Sequence, residues 1–237
     1  MQKSSLIFRQ LFDRACCGYT YLLGDVSSKS AILIDPVLEQ VDRDLTLIHE
    51  LGLKLKYVVN THVHADHITG SGSIKNKLTA IGESGVKSVI STSSGAKADI
   101  KLDDKEELIF GGNQLQAVYT PGHTDGCMSL VDHKNGLVFT GDTLFVRGCG
   151  RTDFQCGNSS LLYDSVHQRL FTLPLDYKVF PAHDYKGQTV TTIGEEKQFN
   201  PRLTKSRAEF IEIMSNLKLE YPKMMDIAVP KNMVCGF

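Results

Sequence analysis

The chain has 237 residues, 41% hydrophobic and 22% charged, with 26 Lys+Arg against 27 Asp+Glu and a formal net charge of −1. That length buries a core of ordinary size in one large domain or two small ones, and the charge balance offers no basic footprint for nucleic acid or an anionic membrane. Apolar runs such as Tyr57-Val58-Val59 and Leu137-Val138-Phe139 are far too short to span a bilayer, so a soluble globular protein is expected.

From the N-terminus, Leu6–Phe12, Tyr19–Leu23 and Ala31–Ile34 read as strands divided by Gly18 and Gly24-Asp25. Asp13 and the strand-like Leu6-Ile7-Phe8 argue against an attached signal or transit peptide. Val41, Leu45, Ile48 and Leu51 fall at helical spacing, and Lys56–Val59 returns to strand before a histidine-rich loop. Leu108–Phe110 and Leu115–Tyr119 flank Gly111-Gly112-Asn113, while Met128–Val131 and Leu137–Thr140 flank Asn135-Gly136; both pairs predict hairpins. Leu162, Val166 and Leu170 mark a helix that Asn158 or Ser159 can cap, and Val179-Phe180 is a short strand ending at Pro181. Phe210, Ile211, Met214 and Leu217 predict a further helix, and the tail after Pro222 reads as irregular. Interleaved strands and helices with hairpins in both halves predict two mixed sheets packed face to face, helices outside.

Six cysteines stand at positions 16, 17, 127, 149, 156 and 235, none in a Cys-x-x-Cys pair. A chain of this size needs no disulfide framework, so reduced thiols in an intracellular compartment are expected.

The loop Thr61-His62-Val63-His64-Ala65-Asp66-His67 places three histidines and a carboxylate within six residues, directly after a strand. Neutral imidazole nitrogens and a hard carboxylate oxygen suit a divalent transition metal. A solvated polar loop with incidental histidines is the plainer alternative, and the rest of the chain weighs against it. His123, Asp142 and His183 each follow an apolar strand beside a Gly or Pro that fixes a turn. His49, His133 and His167 fall on helices or beside a turn and read as ordinary surface residues.

HxHxDH followed by His123, Asp142 and His183 resembles the metallo-β-lactamase fold superfamily over nearly the whole chain. The resemblance implies an α/β fold, a four-layer αβ/βα sandwich of two mixed β-sheets with metal at one edge between them. Residues 1–237 then form a single domain with a short C-terminal extension after about residue 190. Three functions compete. A binuclear hydrolase resembling glyoxalase II would hold one metal at His62, His64 and His123, a second at Asp66, His67 and His183, and bridge them with Asp142. An oxygenase would hold Fe(II) on His62, His123 and Asp142, because zinc offers no redox change, with His64, Asp66, His67, Thr124 and His183 orienting ligands and waters around it. A non-catalytic metal-binding protein ranks last, because the ligand set is complete.

Further stretches decide between the first two. THVHADHITG at 61–70, GCGRTDFQ at 148–155, His183-Asp184-Tyr185 and Asn200-Pro201-Arg202-Leu203-Thr204 resemble the persulfide dioxygenase family over roughly residues 6 to 236. The 54 residues after His183 are too few for the full helical domain of glyoxalase II, which shares the GCGR stretch. The resemblance implies oxidation of glutathione persulfide by O₂ to sulfite and glutathione, one Fe(II) per subunit, a homodimer, and a place in sulfide catabolism in the mitochondrial matrix. Glutathione carries two carboxylates, which makes Arg151 and Arg202 the candidate grips, with Tyr185 placed to reach the sulfur or the glutathione backbone, or else packing at the site rim. Cys149 and Cys235 are weighed as persulfide carriers and read instead as small apolar residues.

Overall fold

A computed structural model describes residues 6–237. Its first half runs β1 (Leu6–Asp13), β2 (Gly18–Asp25), β3 (Ser30–Ile34), α1 (Val41–Glu50), β4 (Lys54–Val59), α2 (Ser71–Ala80), β5 (Lys87–Ser91) and β6 (Ile100–Leu102). These strands form one sheet in chain order, antiparallel from β1 to β3 and parallel from β3 to β6. The second sheet contains β7 (Glu107–Phe110), β8 (Asn113–Tyr119), β9 (Met128–Asp132), β10 (Leu137–Gly141), β11 (Lys178–Pro181) and β12 (Thr191–Thr192), in the order β12-β11-β10-β9-β8-β7. Among the described residues only β10 and β11 pair in parallel there. Both sheets are therefore mixed, as the sequence predicts.

Side-chain alternation along the strands builds three apolar layers. Tyr21, Leu23, Ile32, Ile34 and Val59 of the first sheet meet Phe110, Leu115, Met128, Phe139 and Phe180 of the second. The opposite face of the first sheet, including Leu22, Leu33 and Val58, packs under Val41 and Ile48 of α1 and Ile74 and Leu78 of α2. The opposite face of the second, including Val131, Val138 and Val179, packs under Leu162 of α3 (Ser159–Ser165), Ile193 of α4 (Ile193–Phe199) and Phe210 of α5 (Arg207–Ser215). All eight residues of β2 are buried, which is why that segment shows no in–out polarity. The layers run helix, sheet, sheet, helix, matching the expected sandwich. No helix among the described residues is long and apolar enough to cross a membrane.

Two elements differ from expectation. The tail after Pro222 is not irregular: it forms α6 (Met225–Asn232), although Pro230 lies inside it. The helix spans two turns and ends two residues after that proline, so few backbone bonds are lost. His167 is not an ordinary surface residue. It is half-buried, stacks on Tyr163 with centroids 3.9 Å apart, and its Nε2 lies 3.0 Å from the Leu203 carbonyl.

Candidate metal centre

Strand direction brings the histidines together. β8 and β10 each run antiparallel to β9, and β11 runs parallel to β10, so β8, β10 and β11 all finish at the same edge of the second sheet. His123, Asp142 and His183 lie just beyond those three ends, and the Thr61–His67 loop arrives from the end of β4. The two sheets touch closely there. Gly141, at φ +52°, leaves room for Thr61: a Cβ on it would fall 2.7 Å from Thr61 Oγ1.

Asp35, at the end of β3, organises the loop. It accepts hydrogen bonds from Thr61 N (2.7 Å) and Thr61 Oγ1 (2.8 Å), and lies 3.1 Å from His64 Nε2. With its hydroxyl hydrogen given to Asp35, Thr61 Oγ1 accepts from His62 Nδ1 at 3.0 Å. The Arg151 carbonyl likewise accepts from His123 Nδ1 at 2.7 Å. Both networks assign the proton to Nδ1 and leave Nε2 of each ring with its lone pair free. Asp142 Oδ1 accepts from His183 Nδ1 at 2.8 Å, while Asp142 Oδ2 stands 3.5 Å from His123 Nε2. Ligating atoms of His62, His123 and Asp142 all lie within 4.8 Å of one another, and all three residues are buried. Two imidazole nitrogens and one carboxylate oxygen are a donor set that fits a divalent transition metal.

The other four candidates are engaged differently. His183 directs Nδ1 to Asp142 and Nε2 to Asp66 Oδ2 (2.8 Å), and Asp66 Oδ2 also lies 3.0 Å from His67 Nδ1. Burial disfavours the His183 cation, but the charges of Asp142 and Asp66 overcome it and hold its pKa well above that of a free histidine. Burial likewise opposes charge on His67, and the neighbouring Asp66 pushes it up to about 10. On Asp142, burial favours the neutral acid, yet the His183 charge keeps the carboxyl far below the usual carboxylate range. His62 is shifted the other way by burial and by His64, so it stays neutral. His64 Nδ1 and His67 Nε2 are buried with no hydrogen-bond partner among the described residues. Cys16, Asp66, His67 and His183 form a second group with ligating atoms within 4.8 Å of one another.

The centre opens into a cavity of 680 Å³ that His123, Asp142 and His183 line, with Phe145 and Met224 on its walls. Of the predicted anion grips, Arg202 lines it with Nη1 turned to the Met214 sulfur at 3.8 Å. Arg151 also lines it, but Nε and Nη2 donate to Asp153 (2.6 and 2.7 Å) and Nη1 to the Glu220 carbonyl (2.8 Å). Two of its five N–H groups remain. Tyr185 is 69% exposed at the rim, its ring parallel to that of His183 at 6.1 Å. Thr124 stays off the cavity: its N and Oγ1 lie 3.3 and 3.2 Å from Cys127 Sγ, bracing the turn that carries His123. Cys149 is buried against the Met214 sulfur.

Asp35, Cys16 and Asn232 are the residues that sequence reasoning missed. Asp35 carried a usable signal, being an acid beside a proline at the end of an apolar strand, the kind of position that the candidate ligands occupy.

Residues 14–183 match the Metallo-beta-lactamase superfamily. The mitochondrial persulfide dioxygenase ETHE1 of Homo sapiens is 53% identical over 231 residues, covering 98% of this chain and 89% of that one. A crystal structure of ETHE1 from Myxococcus xanthus superposes with a TM-score of 0.92 at 52% identity, covering 98% of this chain and all of that one. A hydroxyacylglutathione hydrolase of Methylococcus capsulatus is 34% identical over 175 residues, 71% of this chain and 62% of its own length.

Proposed function

The chain belongs to the persulfide dioxygenases of the metallo-β-lactamase superfamily, and on that premise we propose that it oxidises glutathione persulfide with O₂, using one Fe(II) held by His62, His123 and Asp142. The net reaction takes the persulfide, O₂ and one water to glutathione, sulfite and two protons. The observation that carries this reading is the convergence of two Nε2 lone pairs and one carboxylate oxygen, while His183 spends both ring nitrogens on carboxylates. Iron(II), if held by these three residues, would supply the redox change that O₂ chemistry needs.

The chain's own residues do the rest. His183 donates to Asp142 Oδ1, so that Oδ2 is the carboxylate oxygen that would hold the ion. Thr61 and the Arg151 carbonyl fix the ring faces of His62 and His123. Arg202 and the remaining donors of Arg151 receive the glutathione carboxylates, with Tyr185 covering the thiol end at the rim. Phe145 and Met224 exclude water from the sulfur. The mitochondrial name of the human relative supports that compartment for this chain, and we place a homodimer within the same reading.

The test is oxygen consumption by anaerobically iron-loaded protein given glutathione persulfide, beside a sample given S-lactoylglutathione. Oxygen uptake with sulfite formation is expected, and Asp142→Ala abolishes both iron retention and uptake. Fast thioester loss without uptake, or normal turnover by Asp142→Ala, overturns the assignment.

A further inference from the structure

Cys16 takes no part in the proposed ligand set, yet its sulfur lies inside the site. It stands in the turn between β1 and β2, where Ala15 N and Cys16 N both donate to Asp13 Oδ1 at 2.9 Å. That turn is stitched to the strand end carrying His183: Asp184 N donates to the Cys17 carbonyl at 3.2 Å, and Tyr19 N to the Ala182 carbonyl at 2.7 Å. A Cβ on Gly18 would fall 2.9 Å from Cys16 Sγ and 3.5 Å from His183 Nε2, so the glycine is what lets the thiol lie beside the imidazole. Cys16 lines the same cavity as His123 and Asp142. Within its cluster stands His67, 6% exposed, whose Nε2 has no partner in the described structure. The buried thiols are unsuited to chemistry, because burial pushes Cys127 and Cys149 up to about 12 and 11 and keeps them protonated.

We propose that Cys16 is a sulfane-sulfur acceptor, which takes the outer sulfur of a hydropersulfide bound in this cavity and becomes a protein persulfide. This rests on the reading of the substrate given above. A bond forms between Cys16 Sγ and the outer sulfur as the bond from that sulfur to the glutathione sulfur breaks. The electron pair of the broken bond leaves on glutathione, which takes up the proton that Cys16 gives up. Thiol and persulfide exchange roles, so no external oxidant or reductant is consumed. The outer sulfur must approach Asp142 for oxidation, and Cys16 is one imidazole away from that carboxylate.

The test mixes iron-loaded protein with glutathione persulfide without oxygen, removes the excess, caps thiols and persulfides by alkylation, and weighs the peptides. Cys16 is expected to carry the additional sulfur as the dominant label, above the more exposed Cys156. The label disappears in Cys16→Ser and persists in Cys17→Ser, which resolves the two adjacent thiols. A label that survives Cys16→Ser, or one that follows exposure, overturns the proposal. Oxygen uptake and sulfite are measured on the same preparation in air. Uptake without sulfur on Cys16 overturns the acceptor role alone, whereas absence of both overturns the substrate reading with it.

Discussion

Asp44 shows what one badly solvated carboxyl does to the whole fold. It lies in the first turn of α1, fully buried, with Oδ1 accepting one hydrogen bond from Arg43 Nε (2.8 Å) and Oδ2 without a hydrogen-bond partner among the described residues. Burial pushes its pKa up to about 6 from the ordinary 3.8, against the attraction of Arg43. The folded state therefore binds this proton more tightly than the unfolded chain. The stability so contributed is complete below pH 3.8 and is lost as the pH rises through 6, a change of about 3 kcal/mol for a shift of this size. Asp44→Asn keeps an acceptor for Arg43 and removes the charge. In urea titrations the variant is expected to exceed the parent by roughly 1–3 kcal/mol at pH 7, with the gap closing towards pH 4. A gap that does not change with pH would rule out burial of the charge as its cause.

At the scale of elements, α6 acts as a strap over the metal loop. Asn232 at its end is buried, its Nδ2 donating to the carbonyls of His64 (2.9 Å) and His67 (2.8 Å) while its Oδ1 accepts from Thr69 N (2.8 Å). Beyond it, the Met233 and Cys235 carbonyls accept from Lys97 N and Gly72 N. Asn232→Ala leaves three buried backbone groups unpaired, a loss of roughly 2–4 kcal/mol. It is also expected to speed transfer of bound metal to a chelator, because the loop carrying His62 loses its clamp. Asn232→Asp keeps the acceptor but faces two carbonyls with a charge, so it should release metal at least as fast as the alanine variant. Unchanged release rates in both would make the strap a stability device alone. None of this was legible in the sequence, because the partners of Asn232 lie more than 160 residues away and Pro230 disguises the helix. Helix α2 was equally hidden, with only Ile74 and Leu78 reaching the core among polar and glycine residues. By contrast the two hairpins and the strand-end positions of His62, His123, Asp142 and His183 were readable, since turn pairs and short apolar runs are local signals.

Across the whole molecule the proposed ligands are divided between the sheets. His62 extends from β4 of the first, whereas His123 and Asp142 follow β8 and β10 of the second. Between the sheets the packing is apolar, with Phe8, Tyr21, Phe139 and Phe180 forming an aromatic group whose centroids lie 4.8–6.2 Å apart. Polar ties join the sheets at the site edge, such as Tyr21 Oη donating to the Pro181 carbonyl at 2.5 Å, Tyr19 N to the Ala182 carbonyl at 2.7 Å and Met128 N to the Thr61 carbonyl at 3.0 Å. A metal held from both sides therefore stabilises the folded sandwich and nothing in the unfolded chain, which spreads the three ligands over 81 residues of sequence. At a free metal concentration a thousand times the dissociation constant, the linkage is worth about 4 kcal/mol. For a chain of this length that corresponds to a melting temperature higher by roughly 8–16 °C. Calorimetry with and without a strong chelator should show that difference in the parent protein. Asp142→Ala should melt at the same temperature in both conditions, because the remaining two nitrogens no longer retain the ion. If the chelator leaves the parent unmoved, the metal does not join the two sheets.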